Sequence, residues 1–245
     1  VVVNGTLLAE DGQKMSKSKG NVTNPDDLIE QGYGADSLRL FEMFIAPYEQ
    51  STNWNTRGVP GTFKFLQRVW TITQEFLEAK PAAGDNKEVL AIIHQAIKDV
   101  TTDLDRLSFN TAVASLMEAV NKLYKQKTDG FKGVEAWQFA LTSLVQLIAP
   151  FAPHIAEELW QDLGQTGSVH TSSWPEHDEV YLMQDTVTIV VQVNGKVRAQ
   201  LKLPAAVSQE DALAAAKADE HVQTFTAGGI KKEIYIPGKL VNLVV

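Results

Sequence analysis

Glu88-Val89-Leu90-Ala91-Ile92-Ile93-His94-Gln95-Ala96-Ile97-Lys98-Asp99-Val100 decides the class of fold. Its apolar positions, continued by Leu104 and Leu107, recur at three and four residues, the spacing of an amphipathic helix with one buried face. The same period appears on both sides. Upstream, Phe63, Leu66, Val69, Trp70, Thr73 and Leu77 predict a helix ending near Lys80-Pro81. Downstream, a helix capped by Asn110 runs through Val113, Leu116, Met117, Val120, Leu123 and Tyr124, another spans Val134 to Ala149, and a fifth follows Pro150-Phe151-Ala152-Pro153 from His154 to Leu163. Five such helices joined by short loops pack as a bundle, with Trp70, Trp137 and Trp160 in phase with the aliphatic core.

Toward the C-terminus the period changes from 3.6 to two. Val187, Ile189, Val191 and Val193 alternate with polar residues, Asn194-Gly195 turns, and Val197, Ala199, Leu201 and Leu203 alternate again, which predicts a β-hairpin. Ser208 caps an alanine-rich helix to about Ala218, and Ile230–Ile236 and Leu240–Val244 read as two further strands around Pro237-Gly238. The chain therefore reads as mainly α, a helical bundle followed by a small C-terminal α/β domain. Gly164 to Asp185, polar and without periodicity, reads as a linker.

Composition limits the function. The 245 residues, 44% hydrophobic, suffice for one large or two ordinary cores. No run of eighteen apolar residues and no secretory leader is present, so the chain reads as soluble and cytoplasmic. It begins without methionine, inside an apparent strand, as a fragment with an upstream part would. With no cysteine and five unclustered histidines, neither disulfide nor metal site is expected. The net charge of −8 argues against a protein that simply coats nucleic acid. From Thr186 onward, however, seven lysines and arginines stand against five acids, a surplus of two positive charges that leaves the first 185 residues at −10. Lys196 and Arg198 at the hairpin turn, and Lys231, Lys232 and Lys239 beside the later strands, are candidate phosphate contacts.

Near the N-terminus lies Lys14-Met15-Ser16-Lys17-Ser18-Lys19-Gly20-Asn21. Ammonium groups in a short serine- and glycine-rich loop suit work on polyphosphate, where they neutralise charge as a phosphoryl bond breaks. The spacing is not that of a Walker loop. Val1-Val2-Val3, Asn4-Gly5 and Thr6-Leu7-Leu8 read as a hairpin before the loop, and Asn24-Pro25 as the capped start of a helix after it. From there Leu28, Ile29, Leu38, Leu40, Phe41, Phe44 and Ile45 give two short helices broken at Gly32-Tyr33-Gly34. Asp36 and Arg39, three apart, are placed to pair on one helix face, and so, four apart, are His154 and Glu158. Ser51-Thr52-Asn53-Trp54-Asn55 and Gly58-Val59-Pro60-Gly61 read as a connector.

The Lys-Met-Ser-Lys-Ser loop resembles the signature loop of class I aminoacyl-tRNA synthetases, and Gly34-Ala35-Asp36 with Arg39 resembles the segment that follows it there. Gln192-Val193-Asn194-Gly195-Lys196-Val197-Arg198 and Ile236-Pro237-Gly238-Lys239-Leu240-Val241-Asn242 are similar to the C-terminal domain of the bacterial-type leucyl enzymes, and Phe151-Ala152-Pro153-His154-Ile155 to their helical domain. Isoleucyl enzymes commonly end in a cysteine zinc module and valyl enzymes in a charged helical hairpin, unlike this tail.

The resemblance implies an enzyme that activates leucine with ATP and magnesium and transfers it to tRNA. It implies domains at 1–52 (end of the catalytic domain), 53–163 (anticodon-binding type), 164–185 (linker) and 186–245 (tRNA-contacting). Lys17 and then Lys14 are the implied catalytic cations, with Met15, Ser16 and Ser18 completing the ATP loop. The catalytic and editing domains are expected upstream, so the fragment alone should bind tRNA weakly and be inactive. The alternatives are a stand-alone RNA-binding module acting in trans, or another class I synthetase such as the valyl enzyme.

Overall fold

The computed structural model describes residues 4–79, 81–127, 130–182, 186–204 and 207–245. It divides into two compact units, Val1–Leu182 and Met183–Val245.

In the first unit, β1 (Leu7–Leu8) pairs in parallel with β2 (Thr52–Asn53), and Leu8 bridges Lys14. The residues expected as the first strand of an N-terminal hairpin, 1–3, lie outside the described residues. The segment that reads as a connector supplies β2 and core instead: Trp54 is buried edge-on against Phe41 at 5.3 Å, and its indole N–H donates to Thr56 Oγ1. Helices α1 (Pro25–Glu30) and α2 (Gly34–Phe44) follow the loop. Asn24 caps α1, its side chain accepting the Asp26 N–H at 3.3 Å. Leu28, Leu38, Phe41, Trp54 and Val59 close a small core, against which Met15 packs.

Helix α3 (Val59–Glu78) starts within Gly58-Val59-Pro60-Gly61, because proline is accommodated in a first helical turn where its missing N–H has no intrahelical role. Helices α4 (Lys87–Asp105), α5 (Phe109–Gln126), α6 (Val134–Ile148) and α7 (Pro153–Asp162) complete the bundle. Asn86 caps α4 by accepting the Val89 N–H. The expected cap of α5, Asn110, lies inside the helix instead. Leu107 adopts φ 58°, and the chain turns so that Ser108 stands at the cap position. Ile93, Ile97, Val113, Leu116, Trp137, Leu141, Leu144 and Ile148 are fully buried in one apolar core. Trp137 and Trp160 belong to it, whereas Trp70 does not, remaining 39% exposed.

Residues 164–182, polar and aperiodic in sequence, lie against the bundle. Glu157 accepts Ser168 Oγ–H and the Val169 N–H, Trp174 Nε1 donates to Thr101 Oγ1, and the strap ends in α8 (Glu179–Leu182) beside α4. Hydrogen bonds, which carry no periodicity, hold this segment together with Val169, buried in the bundle core, and Tyr181, stacked on His94.

In the second unit, β3 (Thr186–Val193) and β4 (Lys196–Pro204) form the expected hairpin. Asn194 (φ 48°) and Gly195 (φ 77°) make a two-residue turn with positive φ at both central positions, a type I′ geometry. After α9 (Gln209–Ala218), capped by Ser208, comes α10 (Glu220–Thr226), which the sequence pattern did not disclose. Strands β5 (Lys232–Ile236) and β6 (Leu240–Val244) complete a sheet ordered β4-β3-β6-β5, in which β3 and β6 are parallel. Ile189, Val191, Val193, Val241 and Leu243 face Ala212, Leu213, Ala216 and Val222 of the helices.

Candidate functional site

The lysine-serine loop is built on a short scaffold. Ala9 N–H donates to Gln13 O at 2.8 Å, closing a tight turn that returns the chain to bridge Leu8 at Lys14. Lys17–Lys19 then form one 3-10 turn, ended by Gly20 in the left-handed region at φ 67°. Asn21 ties the loop across its base: its Oδ1 accepts the Ser16 N–H at 2.8 Å and its Nδ2 donates to Lys14 O at 3.4 Å. The exposure of the loop follows from one apolar anchor. Met15 is half-buried against the small core, while Lys14, Lys17, Ser18 and Lys19 are exposed.

The side chains differ in their engagement. Lys19 Nζ donates to Gln13 Oε1 at 2.8 Å, and the Ser16 and Ser18 hydroxyls lie 2.8 Å apart. Among the described residues, the Lys14 and Lys17 ammonium groups have no hydrogen-bond or ion-pair partner. Two unpaired cations on a loop pinned at its base can meet an anion without breaking existing contacts. A cleft of ≈ 410 Å³ beside the loop is lined by Gly20, Asn21 and Thr23 but also by Glu10, Asp11 and Asp27. Those carboxylates repel phosphate, and neither Lys14 nor Lys17 lines the cleft. Among the described residues no group of three or more His, Asp or Glu could hold a metal ion.

Behind the loop, α2 is locked to the bundle. Asp36 and Arg39, expected to pair, do not: Asp36 Oδ2 accepts the Ile155 N–H at 2.8 Å, its Oδ1 lies 2.7 Å from His154 Nδ1, and Arg39 donates to Pro150 O at 3.3 Å. The carboxylate thus meets unpaired amides at the N-terminus of α7, a stronger site for it than an exposed neighbour on its own helix. His154 is correspondingly engaged with Asp36 and not with Glu158. A cavity of ≈ 800 Å³ opens beside this link, lined by Tyr33, Phe63, Leu66, Trp70, His154 and Ile155 among others. It explains why Trp70, in phase with core residues, keeps an exposed face.

The five candidate phosphate contacts of the second unit fall into three groups. Lys196 opens β4 opposite Val193, and Lys232 lies opposite Val244, so Lys196, Lys231 and Lys232 gather at one end of the sheet. Two intervening strands separate β4 from β5 by about 14 Å. Lys239 stands at the other end of β5 and β6. Arg198 is withdrawn. The ladder shifts between Val191 and Gln192, leaving Arg198 without a cross-strand partner, and its guanidinium lies 3.7 Å from the Phe225 ring centroid of α10. Its Nε is buried without a hydrogen-bond partner. Period-two alternation places Lys232 on one face with Ile234 and Ile236, 36% and 44% exposed.

With this geometry established, the comparisons are specific. Residues 86–213 match the family described as the anticodon-binding domain of tRNA ligase, and residues 1–55 match class I tRNA synthetases of the I, L, M and V group. The first match takes in just over half of the chain, which therefore belongs to the tRNA ligase anticodon-binding-domain family. Along nearly its whole length it is similar to leucine–tRNA ligases: 46% identical to that of Deinococcus radiodurans over 245 residues, and 45% identical to that of Herpetosiphon aurantiacus over 242. Each alignment covers 98% of this chain, and the chain spans only 29% and 30% of those relatives. The crystal structure of a ternary LeuRS-tRNA-LeuAMS complex from Agrobacterium radiobacter superposes with a TM-score of 0.77 at 31% identity, covering 98% of this chain and 33% of that one. Mycobacterium tuberculosis methionyl-tRNA synthetase shares the fold over 66% of the chain, with a TM-score of 0.54 at 19% identity.

Proposed function

We propose that this chain is a working part of a leucine–tRNA ligase, supplying the loop that closes over ATP and the domains that hold tRNA. The observation that carries the reading is the loop itself: Met15 seated in a core, Asn21 tying the base, and Lys14 and Lys17 exposed without partners, in a chain similar along 98% of its length to leucine–tRNA ligases. In this reading Lys17, with Lys14 beside it in sequence, neutralises the pyrophosphate oxygens as leucine is activated, a task that needs placed positive charge and no proton transfer. The Ser16 and Ser18 hydroxyls shape the loop or donate hydrogen bonds to phosphate. In this reading magnesium arrives with the ATP phosphates.

The same proposal assigns tRNA contact to Lys196, Lys231 and Lys232, with Lys239 at a separate point. Arg198 has a different part: held on Phe225, it braces α10 against the hairpin that presents Lys196. An RNA module acting in trans, or a valyl enzyme, is less favoured, because the relatives matched over the chain's length are leucine–tRNA ligases.

The test uses the 245-residue chain. It should bind leucine-accepting tRNA weakly, with affinity falling steeply as salt rises, and should give no leucine-dependent ATP–pyrophosphate exchange. Exchange by this chain alone, or tRNA affinity indifferent to salt, would overturn the proposal.

A further inference from the structure

His94 is a titratable side chain used by nothing described so far. It sits on α4, 5% exposed, with its ring between Phe139 of α6 (centroids 5.0 Å apart, 27°) and Tyr181 of α8 (4.6 Å, 8°). Its Nδ1 accepts the backbone N–H of Asp178 at 3.0 Å. That bond requires a lone pair on Nδ1, hence a neutral ring carrying its proton on Nε2. Among the described residues, the other polar attachments of this end of the strap are Trp174 Nε1 to Thr101 Oγ1 and the exposed Lys98–Glu179 pair at 2.9 Å. Val180 is 64% exposed, while Tyr181 and Leu182 beside it are half-buried.

We infer that His94 is a proton-operated latch: neutral, it holds residues 174–182 on α4, and protonated, it lets them go. Protonation places two N–H groups face to face where one bond now stands, a repulsion that acts against the attraction of the flanking rings for the cation. The strap directly precedes the second unit in sequence.

The charges around the ring set the direction. On the strap stand His177, Asp178 and Glu179, on α4 Lys98 one turn along, and on α6 Glu135 one turn before Phe139. Burial holds the His94 pKa below the ordinary histidine value, the Asp178 carboxylate opposes this, and His177 adds to it. A docked-state pKa below the free value means that docking is fully supported above about pH 6.5 and weakens as pH falls below it. The Lys98–Glu179 pair does not supply this dependence, because the Lys98 hydrogen bond holds Glu179 below the usual carboxylate range. His177 lies 3.3 Å from Glu179 Oε1, a contact within the strap that does not tie it to α4.

Nuclear magnetic resonance of the 245-residue chain between pH 8 and pH 5 tests the latch. The His94 ring signals and the exchange protection of the Asp178 amide, corrected for intrinsic exchange, should change together. Protection should fall about tenfold for each unit by which the docked pKa lies below the free one, while Ile97 in the same helix keeps its protection. His94→Asn, whose Oδ1 is bonded to Cγ as Nδ1 is and accepts the same N–H without titrating, should flatten the profile, and His177→Asn should leave it intact. Asp178 protection that is constant through His94 protonation, wild-type pH dependence in His94→Asn, or its loss in His177→Asn would overturn the inference. Should the His94→Asn variant be undocked at every pH, the wild-type titration and His177→Asn still decide.

Discussion

Asp36 and His154, 118 residues apart, meet at 2.7 Å, and the second Asp36 oxygen takes the Ile155 N–H at 2.8 Å. One carboxylate therefore closes the N-terminus of α7 and fastens it to α2, the helix beside the lysine loop's core. Asp36→Ala should destabilise the first unit by about 1–2 kcal/mol, the cost of losing a helix cap with a charged acceptor. Asp36→Asn, which can still accept the Ile155 N–H, should lose less. Urea unfolding of the three proteins compares them, and equal stability would show that the link is incidental.

Two glycines in adjacent turns of sequence should respond oppositely. A Cβ on Gly58 would fall 2.2 Å from Phe41 Cε2, and Trp54 blocks the ring's retreat by packing edge-on against it. Gly58→Ala should cost about 1–3 kcal/mol through overpacking. Gly61, inside α3 with open space around it, should gain up to about 1 kcal/mol on replacement by alanine. Thermal unfolding distinguishes them, and similar effects at both sites would contradict this packing.

Lys196 and Arg198 are two residues apart and should report different things. Lys196→Ala should leave unfolding unchanged, weaken tRNA binding and reduce the slope of log affinity against log salt by about 1. Arg198→Ala should lower the stability of the second unit by about 1 kcal/mol through loss of the contact over Phe225, with the salt slope unchanged. A reduced slope in Arg198→Ala would place that guanidinium on phosphate instead.

The contrast between these residues shows what a sequence discloses. The helices from α3 to α7 were legible because apolar side chains repeat with the helical period, and the Asn194-Gly195 hairpin because two positive φ angles demand those residues. Asn24 and Ser208 announced their helices as caps. Gly58-Val59-Pro60-Gly61 was misread, since glycine and proline mark turns and first helical turns alike. Helix α10 was hidden: it follows α9 with only Asp219 between, and that residue's capping of Val222 N–H was the one available signal. At the candidate site the loop's identity was readable from its lysines and serines. The partners of Asp36, the bulge that withdraws Arg198 and the stacking of His94 depend on residues distant in sequence, where no local period points.

The central claim concerns Lys17, and the most direct measurement is leucine-dependent ATP–pyrophosphate exchange in a complete ligase containing this chain. Lys17→Ala should lower kcat about 100-fold or more, the effect of removing one placed charge from a phosphoryl transition state, while tRNA affinity and folding stay unchanged. Lys19→Ala, which removes an ammonium already engaged with Gln13, should have a much smaller effect. Exchange that proceeds at the wild-type rate in Lys17→Ala would contradict the account.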